Sequence, residues 1–305
     1  MDYAFTLLST TGINIILALS MYAVMSTGQL SLAQGAMFGI GAYAAAWGTA
    51  VAGLPLAVAL AAGGLLAGIV GGLLGAVLLR LAHFYFAIAT LAFGELVRVF
   101  LLNFRSVLDT PRGPIGPQGE LGFQKIYYLA DHGITLPQFA GIIWGILAVL
   151  LGFFALLDAS RMGSAFKMVR DDELVARSVG LDTTWIKITA FGLGSSVAAL
   201  GGGLYAHYTT YLMPGYFGFA RSFEALIFVA VGGMDTFLGA AAGAAFLTLA
   251  PEAVRVMRDY RMIFFGLLLI GVVIFRPWGI IDRPLLRRLR LLGMRRDHAR
   301  GAAGL

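Results

Sequence analysis

The stretch from residue 3 to residue 79 reads YAFTLLSTTGINIILALSMYAVMSTGQLSLAQGAMFGIGAYAAAWGTAVAGLPLAVALAAGGLLAGIVGGLLGAVLL. It holds no Asp, Glu, Lys or Arg in 77 consecutive positions. A single bilayer-spanning helix needs about 20 apolar residues, so this stretch predicts several crossings. The polar residues 28–31 and the Gly-Leu-Pro turn signal at 53–55 interrupt it. The resulting spans lie near 5–25, 33–52 and 55–79.

The composition of the whole chain supports this interpretation. Of 305 residues, 59% are hydrophobic and 12% are charged, whereas soluble domains carry about 25% charged residues. Such a composition excludes an ordinary soluble fold and a disordered chain. The absence of Cys excludes disulfides, thiol catalysis and Cys-ligated metals. We predict an all-α polytopic membrane protein with about 8–10 transmembrane or broken helices, since irregular backbone is tolerated only inside protein or beside water.

Further apolar windows follow the first three spans. They lie at 84–104, 138–157, 188–220, 225–234, 236–251 and 262–275. The window 225–234 is too short to cross a bilayer alone and ends in Gly232 and Gly233. We therefore predict a short or broken helix that begins near residue 219 and turns at these two glycines.

Basic residues predict the orientation of the chain. After the last predicted span the chain carries a net charge of +6, which equals the charge of the whole protein. We therefore predict a transmembrane domain at 1–282 and a basic cytoplasmic tail at 283–305 that lies on anionic lipid headgroups rather than on nucleic acid. The charged loop 158–187 is predicted in the cytoplasm, and the loop 105–137 outside. The orientation of the N-terminus stays open, because 33–52 either crosses fully or re-enters.

The cytoplasmic loop 158–187 contains the pattern of a short amphipathic helix. Asp171 and Asp172 suit a helix N-terminus, where the macrodipole favours anions, and Gly180 suits the C-terminal end. The predicted apolar patch consists of Leu174, Val175, Ala176 and Val179. Such a helix lies in the lipid interface or inserts into a groove of a partner, and the pattern leaves both open.

Two acid–base pairs lie within the predicted spans. Glu95 precedes Arg98 by three residues, and Arg221 precedes Glu224 by three. Because a charge in lipid costs several kcal/mol, each pair either neutralises itself against a neighbouring helix or faces a pore.

Uncharged polar residues mark the first break. Gln29, Ser31 and Gln34 either line a path for a polar or zwitterionic solute or form interhelical hydrogen bonds worth roughly 0.6–2 kcal/mol each. The candidate pathway residues are Gln29, Ser31, Gln34, Glu95 and Glu224.

The remaining reactive side chains predict no catalytic site. Ser195 and Ser196 precede His207 on one predicted helix by 12 and 11 residues, or roughly 16–18 Å, so they cannot form a dyad with it. The four His residues lack the spacing of metal ligands. We predict no catalytic residues, no metal and no cofactor.

Seven segments, taken together, resemble the branched-chain amino acid permease family of ATP-binding cassette (ABC) importers, of the LivM type. They are 28–35, 38–43, 87–98, 170–180, 205–208, 232–233 and 275–279, in order over about residues 12–282. Two departures are visible. The family usually has a Gly-Gly-Pro-Asn-Gly-like turn where this chain has 110–116, and tends to have Gly and Pro where Asp235 and Ala240 stand.

The resemblance implies an ABC importer permease fold in the bacterial inner membrane and transport of branched-chain or related amino acids. Urea or short amides are the alternative substrates, and a stand-alone secondary transporter or channel is the alternative mechanism. The implied partners are a second, LivH-type permease subunit, two ABC ATPase subunits and a periplasmic substrate-binding protein. The implied ATPase-coupling residues are Arg170, Asp171, Asp172, Glu173, Leu174, Val175, Ala176 and Gly180. No Gly-Lys-Ser/Thr phosphate loop occurs in the sequence, so ATP hydrolysis is expected in partner subunits.

Overall fold

The computed structural model describes residues 2–78, 81, 83–110, 113–253 and 266. Its helices are α1 (Asp2–Met25), α2 (Gln34–Ala50), α3 (Leu56–Leu78), α4 (His83–Asn103), α5 (Tyr128–Asp131), α6 (Leu136–Ala159), α7 (Arg161–Asp171), α8 (Glu173–Ser178), α9 (Thr183–Thr209), α10 (Phe219–Gly232) and α11 (Phe237–Ala253). Five of them, α1, α3, α4, α6 and α9, are long and apolar enough to cross a membrane. Helices α10 and α11 form a sixth candidate span that is bent by 113°. The predicted all-α polytopic membrane fold is confirmed.

Most predicted spans match a helix to within a few residues, and the broken helix is confirmed. Helix α10 runs from Phe219 to Gly232, and Gly233 makes the turn with a φ of +115°, a conformation that favours glycine. The apolar window 188–220 is not one continuous helix, because α9 ends at Thr209 and Thr210 adopts a left-handed φ of 59°. The predicted span 262–275, apart from Gly266, and the predicted tail 283–305 lie outside the described residues.

Helix α9 forms the centre of the bundle, where α1, α2 and α3 pack against it. Glycines let the helix backbones touch at these contacts. A Cβ atom at Gly202 of α9 would overlap the carbonyl oxygen of Phe38 in α2, and one at Gly41 would overlap the backbone of Ala199. Small residues permit this close packing in membranes, where van der Waals contact replaces the hydrophobic drive between helices.

The segment predicted as the external loop 105–137 contains a small antiparallel sheet. Its strands are β1 (Leu108–Thr110), β2 (Gly113–Pro117) and β3 (Phe123–Gln124), in that order across the sheet. Leu108 faces Ile115 between β1 and β2, and Pro117 faces Phe123 between β2 and β3. Phe123 also exchanges two backbone hydrogen bonds of 2.9 Å with Leu212, just beyond α9. The sequence pattern missed these strands because their Pro and Gly residues interrupt any alternation of apolar and polar positions.

Two interruptions of the bundle meet the charged loop at one end of the molecule. The break between α1 and α2 contacts the end of α7, since the backbone of Arg170 packs on Gly28. The break between α10 and α11 does so as well, since Arg170 donates a hydrogen bond to the carbonyl oxygen of Met234 at 3.2 Å. Helix α1, about 35 Å long, therefore begins at the opposite end of the bundle.

Candidate functional site

The amphipathic helix predicted in the charged loop is α8, and its two ends are closed as the pattern indicated. The Asp172 carboxylate accepts hydrogen bonds from the backbone N–H groups of Leu174 at 2.8 Å and Val175 at 3.1 Å. At the other end Gly180 has a φ of +86°, and the N–H of Leu181 donates to the carbonyl oxygen of Ala176 at 3.1 Å. This is a Schellman termination, which fixes where the helix stops.

Two details of the predicted helix are wrong. Asp171 does not lie at its N-terminus, because the loop contains two helices and Asp171 is the last residue of α7. Ala176 does not belong to the exposed patch, because it is buried in a small core that α7, α8 and α9 share. The exposed apolar residues of this segment are Leu174, Val175 and Val179, and the side chain of Leu174 is 78% exposed.

Glu173 attaches α8 to the first turn of α9. Its carboxylate pairs with the Lys187 ammonium at 2.7 Å and with the Arg177 guanidinium at 2.8 Å, and it accepts a hydrogen bond from Thr183 at 3.1 Å. Burial alone would raise the pKa of Glu173, but the hydrogen bond and the charge of Lys187, together with the bonds from Thr183 and Arg177, lower it below its ordinary value. Glu173 therefore stays ionised and holds α8 in place rather than facing solvent.

Arg170 attaches the end of α7 to the break between α10 and α11. Its guanidinium pairs with the Asp235 carboxylate at 2.9 Å and lies 3.4 Å from Asp171. A cavity of about 520 Å³ lies beside this contact, and Gln29 and Met234 are among its lining residues. The charged loop thus contacts both interruptions of the bundle through one side chain and its backbone.

The polar side chains of the first break are buried, although Gly28 and Leu30 beside them are exposed. Gln29, Ser31 and Gln34 are all buried. The backbone of the break is held by α4 and α10, since Thr90 accepts a hydrogen bond from Leu32 at 3.0 Å and Ser222 accepts one from Gly35 at 2.8 Å.

The two buried amides of this break, Gln29 and Gln34, lack hydrogen-bond partners in the part of the chain that the structure describes. Within the described residues, the Gln34 side-chain amide has no hydrogen-bond partner at either atom, and the Gln29 side-chain oxygen has none. An unpaired buried amide is costly, so these atoms would gain free energy by binding water or a polar solute.

A buried cation lies where the first turn of α10 meets α1 and α2. Arg221 is only 3% exposed and pairs with Glu224. It also donates a hydrogen bond to Asn14 at 2.8 Å, and its guanidinium lies 4.9 Å from the ring centre of Phe38. Asn14 in turn donates to Thr248 of α11 at 3.0 Å. A hydrogen-bonded row therefore crosses α10, α1 and α11.

The second acid–base pair meets the same end of α10. Arg98 donates to Glu95 at 2.6 Å, and Glu95 accepts a longer hydrogen bond of 3.4 Å from the backbone N–H of Phe219. The Arg98 side chain also packs on Gly218, the residue before α10. The two predicted acid–base pairs therefore meet at the start of α10. The spacing of these residues in the sequence did not indicate that the two pairs would be neighbours. Three of the four residues, Glu95, Arg98 and Glu224, are half-buried.

The model of a family described as "Branched-chain amino acid transport system / permease component" matches residues 3–273. The chain belongs to this family. LivM permease proteins of Salmonella typhimurium and Escherichia coli K12 are 33% and 34% identical to it over 297 residues, which cover 91% of this chain and 70% of each relative. The LivH permease protein of Escherichia coli K12 is 25% identical over 189 residues, or 61% of each chain. No solved structure matches the chain.

In this permease the His207 and Ser195 side chains make hydrogen bonds within the helix bundle. His207 is buried, with one ring nitrogen 2.9 Å from the Thr49 hydroxyl and the other 2.7 Å from the carbonyl oxygen of Gly203. Ser195 donates to the carbonyl oxygen of Phe191. Among the described residues no group of three or more His, Asp or Glu side chains is placed to hold a metal.

Proposed function

We propose that the permease is the membrane subunit of an ABC importer in the bacterial inner membrane that carries branched-chain or related amino acids. The proposal rests on the structure of helix α8. It is a short helix with both ends closed, exposed Leu174 and Val175 on one side, and charged side chains that attach it to the spans. An exposed helix fixed to membrane spans suits a groove of an ATPase partner, whose movement it transmits. The amino acid substrate follows from the LivM and LivH relatives, which are permease proteins of branched-chain amino acid transport systems.

Separate subunits supply the other functions of the importer. Two ABC ATPases hydrolyse ATP, a periplasmic protein delivers the substrate, and a LivH-type permease completes the pore. The face around the start of α10 supports a second permease subunit. Glu95 and Glu224 are each 38% exposed there, and Glu224 lies eight residues, about 12 Å, from the inner end of α10 at Gly232. Because charges exposed to lipid are costly, this face requires a protein or aqueous neighbour.

The orientation follows from the coupling role of α8. With α8 in the cytoplasm, α1 begins outside, the small sheet lies outside, and the breaks at 28–33 and 233–236 lie at the inner end. The basic tail at 283–305 is cytoplasmic by the positive-inside rule, after a transmembrane domain at 1–282. The pathway residues are Gln29, Ser31, Gln34, Glu95 and Glu224, and the coupling residues are those of 170–176 together with Gly180.

The test uses the absence of Cys in the native chain. Single Gln29→Cys, Ser31→Cys and Gln34→Cys variants are assembled with the partner subunits in proteoliposomes and treated with a small polar thiol reagent. All three positions are buried in this structure. We therefore expect slow labelling at rest and faster labelling when ATP and the loaded binding protein are present. Ser20→Cys, buried in α1, is the matched control and should stay unlabelled in every state.

Labelling that stays at zero in all states, in a complex that transports, would assign the polar residues of the break to helix packing. Uptake of radiolabelled leucine compared with urea tests the substrate class in the same vesicles. The purified chain alone should hydrolyse no ATP. ATPase activity that persists after stringent removal of co-purifying proteins would overturn the assignment as a permease subunit.

A further inference from the structure

The charged loop contacts the break after α10 through Arg170, which forms an ion pair with Asp235. The side chains are 18% and 30% exposed, and the guanidinium Nη2 lies 2.9 Å from the carboxylate Oδ1. The other terminal nitrogen, Nη1, donates to the carbonyl oxygen of Met234 at 3.2 Å. One arginine therefore holds both a side chain and a backbone carbonyl of the same four-residue break.

We propose that Arg170 and Asp235 are a positioning pair that transmits movement of the coupling loop to α10; this rests on the proposed coupling role of α8. Arg170 lies two residues before Asp172, which caps α8, and Asp235 lies two residues after Gly233, where α10 ends. By the covalent chain, α8 reaches α10 only through the 27 residues of α9 and the segment that follows it. The ion pair is the shorter route.

The geometry of α10 suits a helix that is moved by the coupling loop. Its 14 residues form a rod about 20 Å long, with the Asp235 break at one end and the Arg221–Glu224 pair near the other. Gly233, with its φ of +115°, is the point where α10 and α11 bend by 113°. A displacement of Asp235 therefore moves α10, and with it the Arg221–Glu224 pair, because α10 is a separate rigid helix and not part of a longer continuous span.

The ion pair is tightly packed against the chain on one side and borders an open cavity on the other. On the close side, Gly28 has a φ of +77°, and a Cβ atom there would lie 3.3 Å from the Arg170 Cα. On the free side lies the cavity of about 520 Å³.

The experiment is a double-mutant cycle in the complex assembled with its partner subunits in proteoliposomes. Arg170→Gln, Asp235→Asn and the double variant are compared for uptake per ATP hydrolysed. We expect each single variant to lower this ratio by at least about fivefold, a size typical of allosteric coupling. We expect the double variant to be no worse than either single variant, because both remove the same interaction.

A second readout needs no substrate. Phe223→Cys places a thiol on the exposed side of α10, and its labelling rate is measured with and without ATP. ATP should change this rate in the wild-type background and leave it unchanged in the Asp235→Asn background. If the wild-type complex took up no branched-chain amino acid, the proposed substrate would fail, whereas this readout would still test the pair.

The matched control is Lys167→Gln. It breaks another ion pair of α7, between Lys167 and Asp158 at 3.3 Å, whose side chains are 26% and 20% exposed and which joins α7 to α6 rather than to the break. It should behave as wild type in both readouts. Wild-type behaviour of Asp235→Asn, losses that multiply in the double variant, or an equal loss in Lys167→Gln would each overturn the proposal.

Discussion

Replacing Glu224 by Gln should destabilise the permease, because it leaves the buried guanidinium of Arg221 without its negatively charged partner. The Arg221 side chain is 3% exposed, and once the carboxylate is gone its guanidinium keeps the hydrogen bond to Asn14 and the contacts with the rings of Phe38 and Tyr216. Removing one partner of a fully buried pair costs about 3–5 kcal/mol. The Glu224 side chain is 38% exposed, so screening by its surroundings reduces this to roughly 1–3 kcal/mol.

The double variant Arg221→Met/Glu224→Gln should recover most of that loss. It removes both charges and keeps the apolar stem between Phe38 and Tyr216, so what remains is mainly the lost bond to Asn14, about 1 kcal/mol. Glu95→Gln is the matched control for the single variant. It breaks an acid–base pair of the same spacing whose two side chains are each about one-third exposed, and it should cost under about 1 kcal/mol.

The assay is the folded fraction in detergent after heating, followed by uptake in proteoliposomes. A Glu224→Gln variant as stable as wild type would refute the stranded-charge argument. Uptake separates the two roles of the pair: a double variant that folds and transports assigns Glu224 to structure, and one that folds without transporting assigns it to the pathway.

Two further predictions concern the ends of α8 and the packing of α9. Asp172→Ala removes the N-terminal cap of α8 and lowers the stability of the helix by about 1 kcal/mol. Gly180→Pro cannot adopt the φ of +86° that ends the helix. We expect both variants to insert and assemble but to take up less substrate per ATP hydrolysed. Ser178→Ala, on the same helix, is the control, and full ATP-driven uptake by either variant would exclude a docking role. Gly202→Ala should destabilise the bundle by about 1–3 kcal/mol, because its Cβ meets a backbone carbonyl. Gly72→Ala has no neighbour within 4 Å and should stabilise α3 by up to about 1 kcal/mol, and thermal unfolding showing the same sign for both would contradict the packing.

Features set by neighbours in the sequence could be predicted, and those set by distant neighbours could not. The broken helix ending at Gly232 and the cap at Asp172 depend on residues a few positions apart, so the sequence pattern predicted them. The burial of Ala176 was not, because it depends on packing of α8 against α7 and α9. The contacts of Arg170 with Asp235 and of Arg221 with Asn14 join residues 65 and 207 positions apart, which no local pattern encodes. The roles assigned to the pathway and coupling residues stay predictions.

The bond between Asn14 and Arg221 has a consequence for biogenesis. Helix α1 is synthesised before α10 and α11, so the partners of its Asn14 side chain, Arg221 and Thr248, follow more than 200 residues later. At roughly 5–20 residues per second the ribosome needs about 10–40 s to reach Arg221. During that interval α1 carries a polar side chain without its final partners, and the nascent chain depends on water, lipid headgroups or insertion machinery to shield it. A chain truncated before α10 would never acquire these two partners for Asn14.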